Sequence, residues 1–287
     1  MTNGSQKIVA LVDGSIYSAS VCEHAAWIAR RTDAPVELIH VLGRREAAGN
    51  HDHSGAIALG ARTALLEELA ALDAQRARLI SHRGRAILED AAKLLEEAGV
   101  SDVTTRLRHG DIVEAVAELE GDARVILIGK RGEAADFARG HLGSNLERIV
   151  RASHKPVLVA SRAFRPISRV LVAYDGGASA MKAVDHIAHS PLFQGLLVQV
   201  VTVGNAAPEV TKGLADAQAL LKAAGLAVET SVLPGQPETA LGKLVDEAQF
   251  DMLVMGAYGH SRIRSLIIGS TTTAMIRACK VPVLLMR

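Results

Sequence analysis

GAYGHSRIRSLIIGS, Gly256 to Ser270, follows the apolar run Phe250 to Met255 and precedes a helix-forming segment that starts near Thr271. A strand, a glycine-rich loop and a helix in that order can form a phosphate cradle. The fixed points are Gly256, Gly259, Gly269 and Ser270, with nine residues between the second and third glycines. Glycine allows positive φ and, without a Cβ, brings backbone N–H groups close to an anion. If Gly269 and Ser270 open the helix, its first N–H groups lack intrahelical partners and its dipole favours negative charge. Ser270, Thr271 and Thr272 would add hydroxyl donors, and Arg262 and Arg264 would screen charge from the loop. The plainer reading is a glycine-rich connection that only turns a strand into a helix.

Working outward, this block is half of a duplication. Lys7 to Val12 is a short apolar run ending in Asp13-Gly14-Ser15, and Arg169 to Tyr174 ends likewise in Asp175-Gly176-Gly177. Val36 to Leu42 returns as Val198 to Val203, Gly110 as Gly235, and Pro156 to Ala160 as Pro282 to Met286. Arg124 to Ile128 with the loop Gly129 to Ser144 matches the block around Gly256. Short apolar runs alternating with helical patterns predict parallel sheets covered on both faces. The expected architecture is α/β: two tandem doubly wound, Rossmann-like domains, 1–162 and 167–287, each a five-stranded mostly parallel sheet flanked by helices. Ser161 to Ser168, polar and containing Pro166, reads as the linker. The copies differ in one insertion: Val41 to Gly110 is about twice as long as Val203 to Gly235. In the first copy an Ala, Leu and Glu-rich segment from about Ala56 to Ala98 predicts one or two helices with a break near His82 to Arg85.

The glycine loop, the repeated aspartate after the first strand and the tandem arrangement resemble the universal stress protein family in its ATP-binding branch. The resemblance covers almost the whole chain. It implies an adenine nucleotide α-hydrolase-like fold, and ATP with Mg2+ as ligand. By position it places Asp175, Val203, Met255, Gly256, Gly259, Gly269, Ser270 and Thr271 around a nucleotide in the second domain: the aspartate near sugar or base, the valine on the adenine, the loop on the phosphates. Helix capping is the bland alternative for Asp175. The matching first-domain positions are Asp13, Val41, Ile128, Gly129, Gly132, Gly143 and Ser144. There the match is imperfect, because ten residues separate Gly132 from Gly143 and the loop carries Glu133 and Asp136. Carboxylates beside a triphosphate cost electrostatic energy unless cations intervene; Lys130, Arg131 and Arg139 are the candidates. Tighter binding in the second domain is expected. The resemblance also implies that the last strands of the two copies pair within the chain as a pseudo-dimer; a homo-oligomer stays open.

Composition narrows the rest. Lys plus Arg 32 against Asp plus Glu 31 leaves a net charge of +1, which argues against nucleic acid as a partner. Aromatics at 3% argue against a stacking platform. Cys22 and Cys279 read as helix-packing residues rather than a disulfide pair. No run reaches membrane-spanning length, and the chain is expected to be cytoplasmic. His51-Asp52-His53 carries too few ligands for a full zinc site and reads as a solvated loop. His40, beside Val41, is open between ligand contact and burial. No catalytic constellation stands out: there is no Walker lysine, H-E-x-x-H or G-x-S-x-G. The expectation is a stress-response protein that uses ATP as a conformational ligand. A slow ATP hydrolase and a scaffold with vestigial sites are the alternatives.

Overall fold

The computed structural model describes residues 6–43, 59–132, 143–205, 207–257 and 270–287, with side chains at 59–64 and 270 outside that description. The first half runs β1 (Lys7–Leu11), α1 (Ser18–Thr32), β2 (Val36–Leu42), α2 (Leu59–Glu97), β3 (Val103–His109), α3 (Ile112–Leu119), β4 (Ala123–Gly129), α4 (Ser144–Ala152) and β5 (Val157–Ala160). The second repeats it as β6 (Arg169–Ala173), α5 (Ala178–His189), β7 (Leu197–Val203), α6 (Pro208–Ala223), β8 (Ala227–Leu233), α7 (Pro237–Glu247), β9 (Met252–Gly256), α8 (Ser270–Ala278) and β10 (Val283–Met286).

The ten strands of the described residues form one sheet in the order β3-β2-β1-β4-β5-β10-β9-β6-β7-β8. Within each half every pairing is parallel. The halves meet where β5 and β10 pair antiparallel, with Leu158 opposite Leu284. Strands of the first half therefore run opposite to those of the second.

Alternation along the strands explains the layers. Ile8, Ala10 and Val12 face one side with Val21 and Ile28 of α1, Leu88 and Leu95 of α2, Val184 and Ile187 of α5, and Leu214 and Leu221 of α6. Val9 and Leu11 face the other side with Val116 of α3, Ile149 of α4, Leu241 of α7 and Met275 of α8. Ile8, Val9 and Ala10 are each 0% exposed, so the central strands are buried on both faces.

Among the described residues three cations, Lys130, Arg287 and Arg31, cross between the halves to helix ends and turns. Lys130 Nζ donates to the carbonyls of Arg277 (2.6 Å) and Cys279 (3.1 Å) at the end of α8. Arg287 donates to the carbonyls of Arg151 (2.8 Å) and Ser153 (3.2 Å) at the end of α4. Both fill acceptors that a helix C-terminus leaves open. Arg31 of α1 reaches the carbonyls of Leu192 and Gln194.

Three expectations change. The long segment is one continuous helix, α2, without a break at His82 to Arg85. Gly84 stays helical because the missing side chain admits its neighbours: a Cβ there would lie 2.7 Å from Leu107 Cδ1 and 2.9 Å from His40 Cδ2. The linker is not merely a polar spacer: Ile167 is buried and Phe164 packs on the core, its ring edge-to-face with His24 at 5.0 Å. Lys130, expected to offset loop carboxylates, is engaged at the end of α8 instead.

Candidate functional site

In each half the strand order reverses between the first and fourth strands, β1 and β4 or β6 and β9. Open α/β sheets hold ligands at the carboxyl ends of strands flanking such a reversal. Asp13 and Asp175 leave β1 and β6 there, and Gly129 and Gly256 close β4 and β9.

The first-half edge encloses a cavity of about 210 Å³. Asp13, Val41, Ile128, Gly129, Gly132, Gly143 and Ser144 all line it, so every first-domain position inferred from the sequence comes to one place. Asp13 is held by its own turn. Its carboxylate accepts from Ser15 N–H (3.0 Å) and Ser18 O–H (3.3 Å), while Ser18 Oγ accepts from Gly14 N–H (3.0 Å). Gly14 has φ of 77°, in the left-handed region that glycine adopts without strain. Gly132 comes so near that a Cβ would lie 2.8 Å from Asp13 Oδ2. Gly143 is the N-cap of α4 and makes no side-chain cap bond, so the first N–H groups of α4 keep donor capacity beside the cavity. Arg131 adds a cation to the lining.

Second-half residues occupy the equivalent edge. Asp175 Oδ1 accepts from Gly177 N–H at 2.8 Å; Gly177, not Asp175, is the N-cap of α5, so the aspartate shapes the turn rather than capping the helix. Val203 ends β7, and Met255 lies opposite Ala173 in register. Thr272 O–H donates to the carbonyl of Ala257 at 3.3 Å, tying the first turn of α8 to the end of β9. Ser270 and Thr271 open that helix. Gly259, Arg262, Arg264 and Gly269 lie outside the described residues, as do Glu133, Asp136, Arg139 and His51-Asp52-His53. Among the described residues no cluster of three or more His, Cys, Asp or Glu could hold a metal ion.

Two features went unread in the sequence. A Cβ at Gly129 would lie 2.7 Å from Tyr17 Cβ, and one at Gly256 2.9 Å from Ser179 Cβ. In both halves, then, this glycine lets a helix press onto the strand across the reversal. The repeat offered the signal, since the glycine recurs at the same position. His40 is buried, and its Nδ1–H donates to the carbonyl of Val12 at 2.7 Å. Thr202, its repeat counterpart, donates to the carbonyl of Tyr174 at 2.7 Å. Each pins the outgoing end of the first strand to the second strand, holding the aspartate turn in place. His40 also borders the cavity.

Both cysteines are buried, and burial pushes their thiols up, Cys22 to about 12 and Cys279 to about 11. They pack rather than react, as a thiolate would be needed for chemistry.

The model of the universal stress protein family matches residues 4–161 and 198–287. The chain belongs to the universal stress protein family. It is 38% identical over 286 residues to a universal stress protein of Synechocystis sp., covering 98% of this chain and 100% of that one. A universal stress protein of Mycobacterium tuberculosis is 26% identical over 249 residues, 75% of this chain and 78% of that one. The crystal structure of a universal stress protein from Archaeoglobus fulgidus superposes with a TM-score of 0.74 at 21% identity, covering 99% of each chain, which establishes the tandem fold. Among the described residues no helix is long and apolar enough to cross a membrane.

Proposed function

We propose that this universal stress protein binds ATP, with Mg2+, as a conformational ligand at the reversal edge of each unit, 1–162 and 167–287. The observation that carries the reading is the convergence of Asp13, Val41, Gly129, Gly132, Gly143 and Ser144 on one cavity beside the uncapped start of α4. Its donors suit an anion: backbone N–H groups at a helix start, the Ser144 hydroxyl and Arg131. Pockets for whole ligands run to roughly 300–1,000 Å³, so a cavity of about 210 Å³ encloses part of a nucleotide and leaves the rest at its mouth. The second unit is the tighter site in this reading. Its loop has nine-residue spacing and carries Arg262 and Arg264, where the first has ten and carries Glu133 and Asp136. The ligand acts by binding one conformation better than another, which requires no turnover. In this reading the protein works in the cytoplasm, where ATP is available, and the β5–β10 pairing serves as an internal dimer joint.

Calorimetric titration with ATP and Mg2+, on protein shown by mass analysis to carry no copurified nucleotide, tests the reading. Two sites of unequal affinity are expected. Gly269→Val should remove the tighter one and Gly143→Val the weaker. Failure of emptied protein to bind would refute ATP binding and leave a scaffold. Steady phosphate release, lost in Ser270→Ala with binding retained, would replace the regulatory ligand with a hydrolase.

A further inference from the structure

We propose that the exposed leucine stripe Leu65, Leu72 and Leu79 on α2 is the surface through which two copies of this chain pair, with their α2 helices antiparallel.

The helix is longer than its packing needs. Its 39 residues span roughly 58 Å, against roughly 24 Å for the 16 residues of the repeat counterpart α6. Leu88, Ala91 and Leu95 anchor its C-terminal half in the core. From Leu65 to Leu79 almost every side chain is exposed. Leu65 is 38%, Leu72 55% and Leu79 65% exposed. Seven-residue steps drift only about 20° around a helix, so these three share a face. By the same helical geometry that face lies roughly 150° from Leu88 and Leu95, pointing away from the sheet. A soluble surface scatters large apolar side chains singly; here they recur in a line.

Charge along the stripe selects the occupant and its direction. Glu67 and Glu68 precede Leu72, while Arg76 and Arg78 follow it. A two-fold axis at Leu72 sets Leu65 level with Leu79 of the second copy and Glu68 level with Arg76 of the second copy. The stripe is thus complementary to itself in one orientation, as an isologous contact requires. A parallel arrangement would bring Glu68 against Glu68 and Arg76 against Arg76, which is repulsive. Contact over roughly 21 Å of helix is short for a permanent interface, so the dimer is weak and concentration-dependent.

Sedimentation equilibrium over a concentration series should show reversible dimerisation that Leu72→Glu abolishes. Glu68→Arg should weaken it, and the double variant Glu68→Arg/Arg76→Glu should recover it. All three sites are exposed, so folding is checked by circular dichroism rather than assumed lost. Crosslinking fixes the direction. With a short bismaleimide, Leu72→Cys should give a covalent dimer, Leu65→Cys alone should not because its mate lies roughly 21 Å away, and a mixture of Leu65→Cys with Leu79→Cys should. Cys22 and Cys279 are buried and leave the readout clean. A monomer at every concentration, a dimer indifferent to Leu72→Glu, or self-crosslinking at Leu65→Cys would overturn the proposal.

Discussion

Lowering the pH from 7 to 4 should strip stability from the first half through one residue, His24. The side chain is 0% exposed within α1 and lies edge-to-face on Phe164 of the linker. Its Nδ1–H donates to the Ser20 carbonyl at 2.7 Å, and Nε2 is buried without a hydrogen-bond partner. A second proton would have to go on Nε2, into apolar surroundings. Burial accordingly holds the pKa near 4 against an ordinary 6.5. Between those values an unfolded chain takes up a proton that the folded one refuses, so the contribution is complete above 6.5 and is lost as pH falls toward 4. At 1.36 kcal/mol per pH unit the loss is about 3 kcal/mol. Urea midpoints measured from pH 7 to pH 4, for the native chain and His24→Leu, isolate the effect, because other groups titrate in both. The variant should show a shallower decline, by about 3 kcal/mol across the range. Parallel curves would refute the assignment.

Gly129→Ala should destabilise by roughly 1–3 kcal/mol, as overpacking does, since its Cβ would lie 2.7 Å from Tyr17 Cβ; an unchanged urea midpoint would contradict the close approach. Glu37, with its side chain 3% exposed, meets Lys7 at 2.6 Å and Arg106 at 2.8 Å. Glu37→Gln leaves both cations unpaired, but they reach solvent, so the loss measured by thermal or urea unfolding should be roughly 1–3 kcal/mol rather than that of a sealed ion pair. Removing Pro282 to Arg287 deletes β10, which alone joins β5 to β9, and light scattering should then report association through the exposed edges. A stable monomer would contradict that role for β10.

The strands and the duplication were legible because most strands are short apolar runs and the first strand of each half closes in Asp-Gly, Asp13-Gly14 and Asp175-Gly176, a pattern that barely changes between copies. The gathering of the first-domain candidate positions on one edge was legible because strand ends determine where such residues converge. What stayed hidden depends on contacts distant in sequence. Nothing local says that Lys130 turns to the end of α8, or that Phe164 and Ile167 fold back from a polar linker onto the core. Within the expected break near His82 to Arg85, Gly84 carries the low helix propensity of glycine. The decisive fact is the space His40 and Leu107 need beneath it, which only packing reveals. His40 itself sits on an alternating strand where either face was open, and its bond to the Val12 carbonyl decides the matter.

The antiparallel seam between β5 and β10 separates the two candidate sites as well as joining the halves. Because the strands reverse there, the first edge opens at one rim of the sheet and the second at the opposite rim, with about a strand length, on the order of 15–20 Å, between the rims. The two candidate edges therefore face away from each other across the seam. In the proposed reading the molecule therefore has four occupancy states rather than two. Cooperation among them has routes along the seam, through the helix ends that Lys130 and Arg287 clasp across it, and through the contact of Arg31 with Leu192 and Gln194.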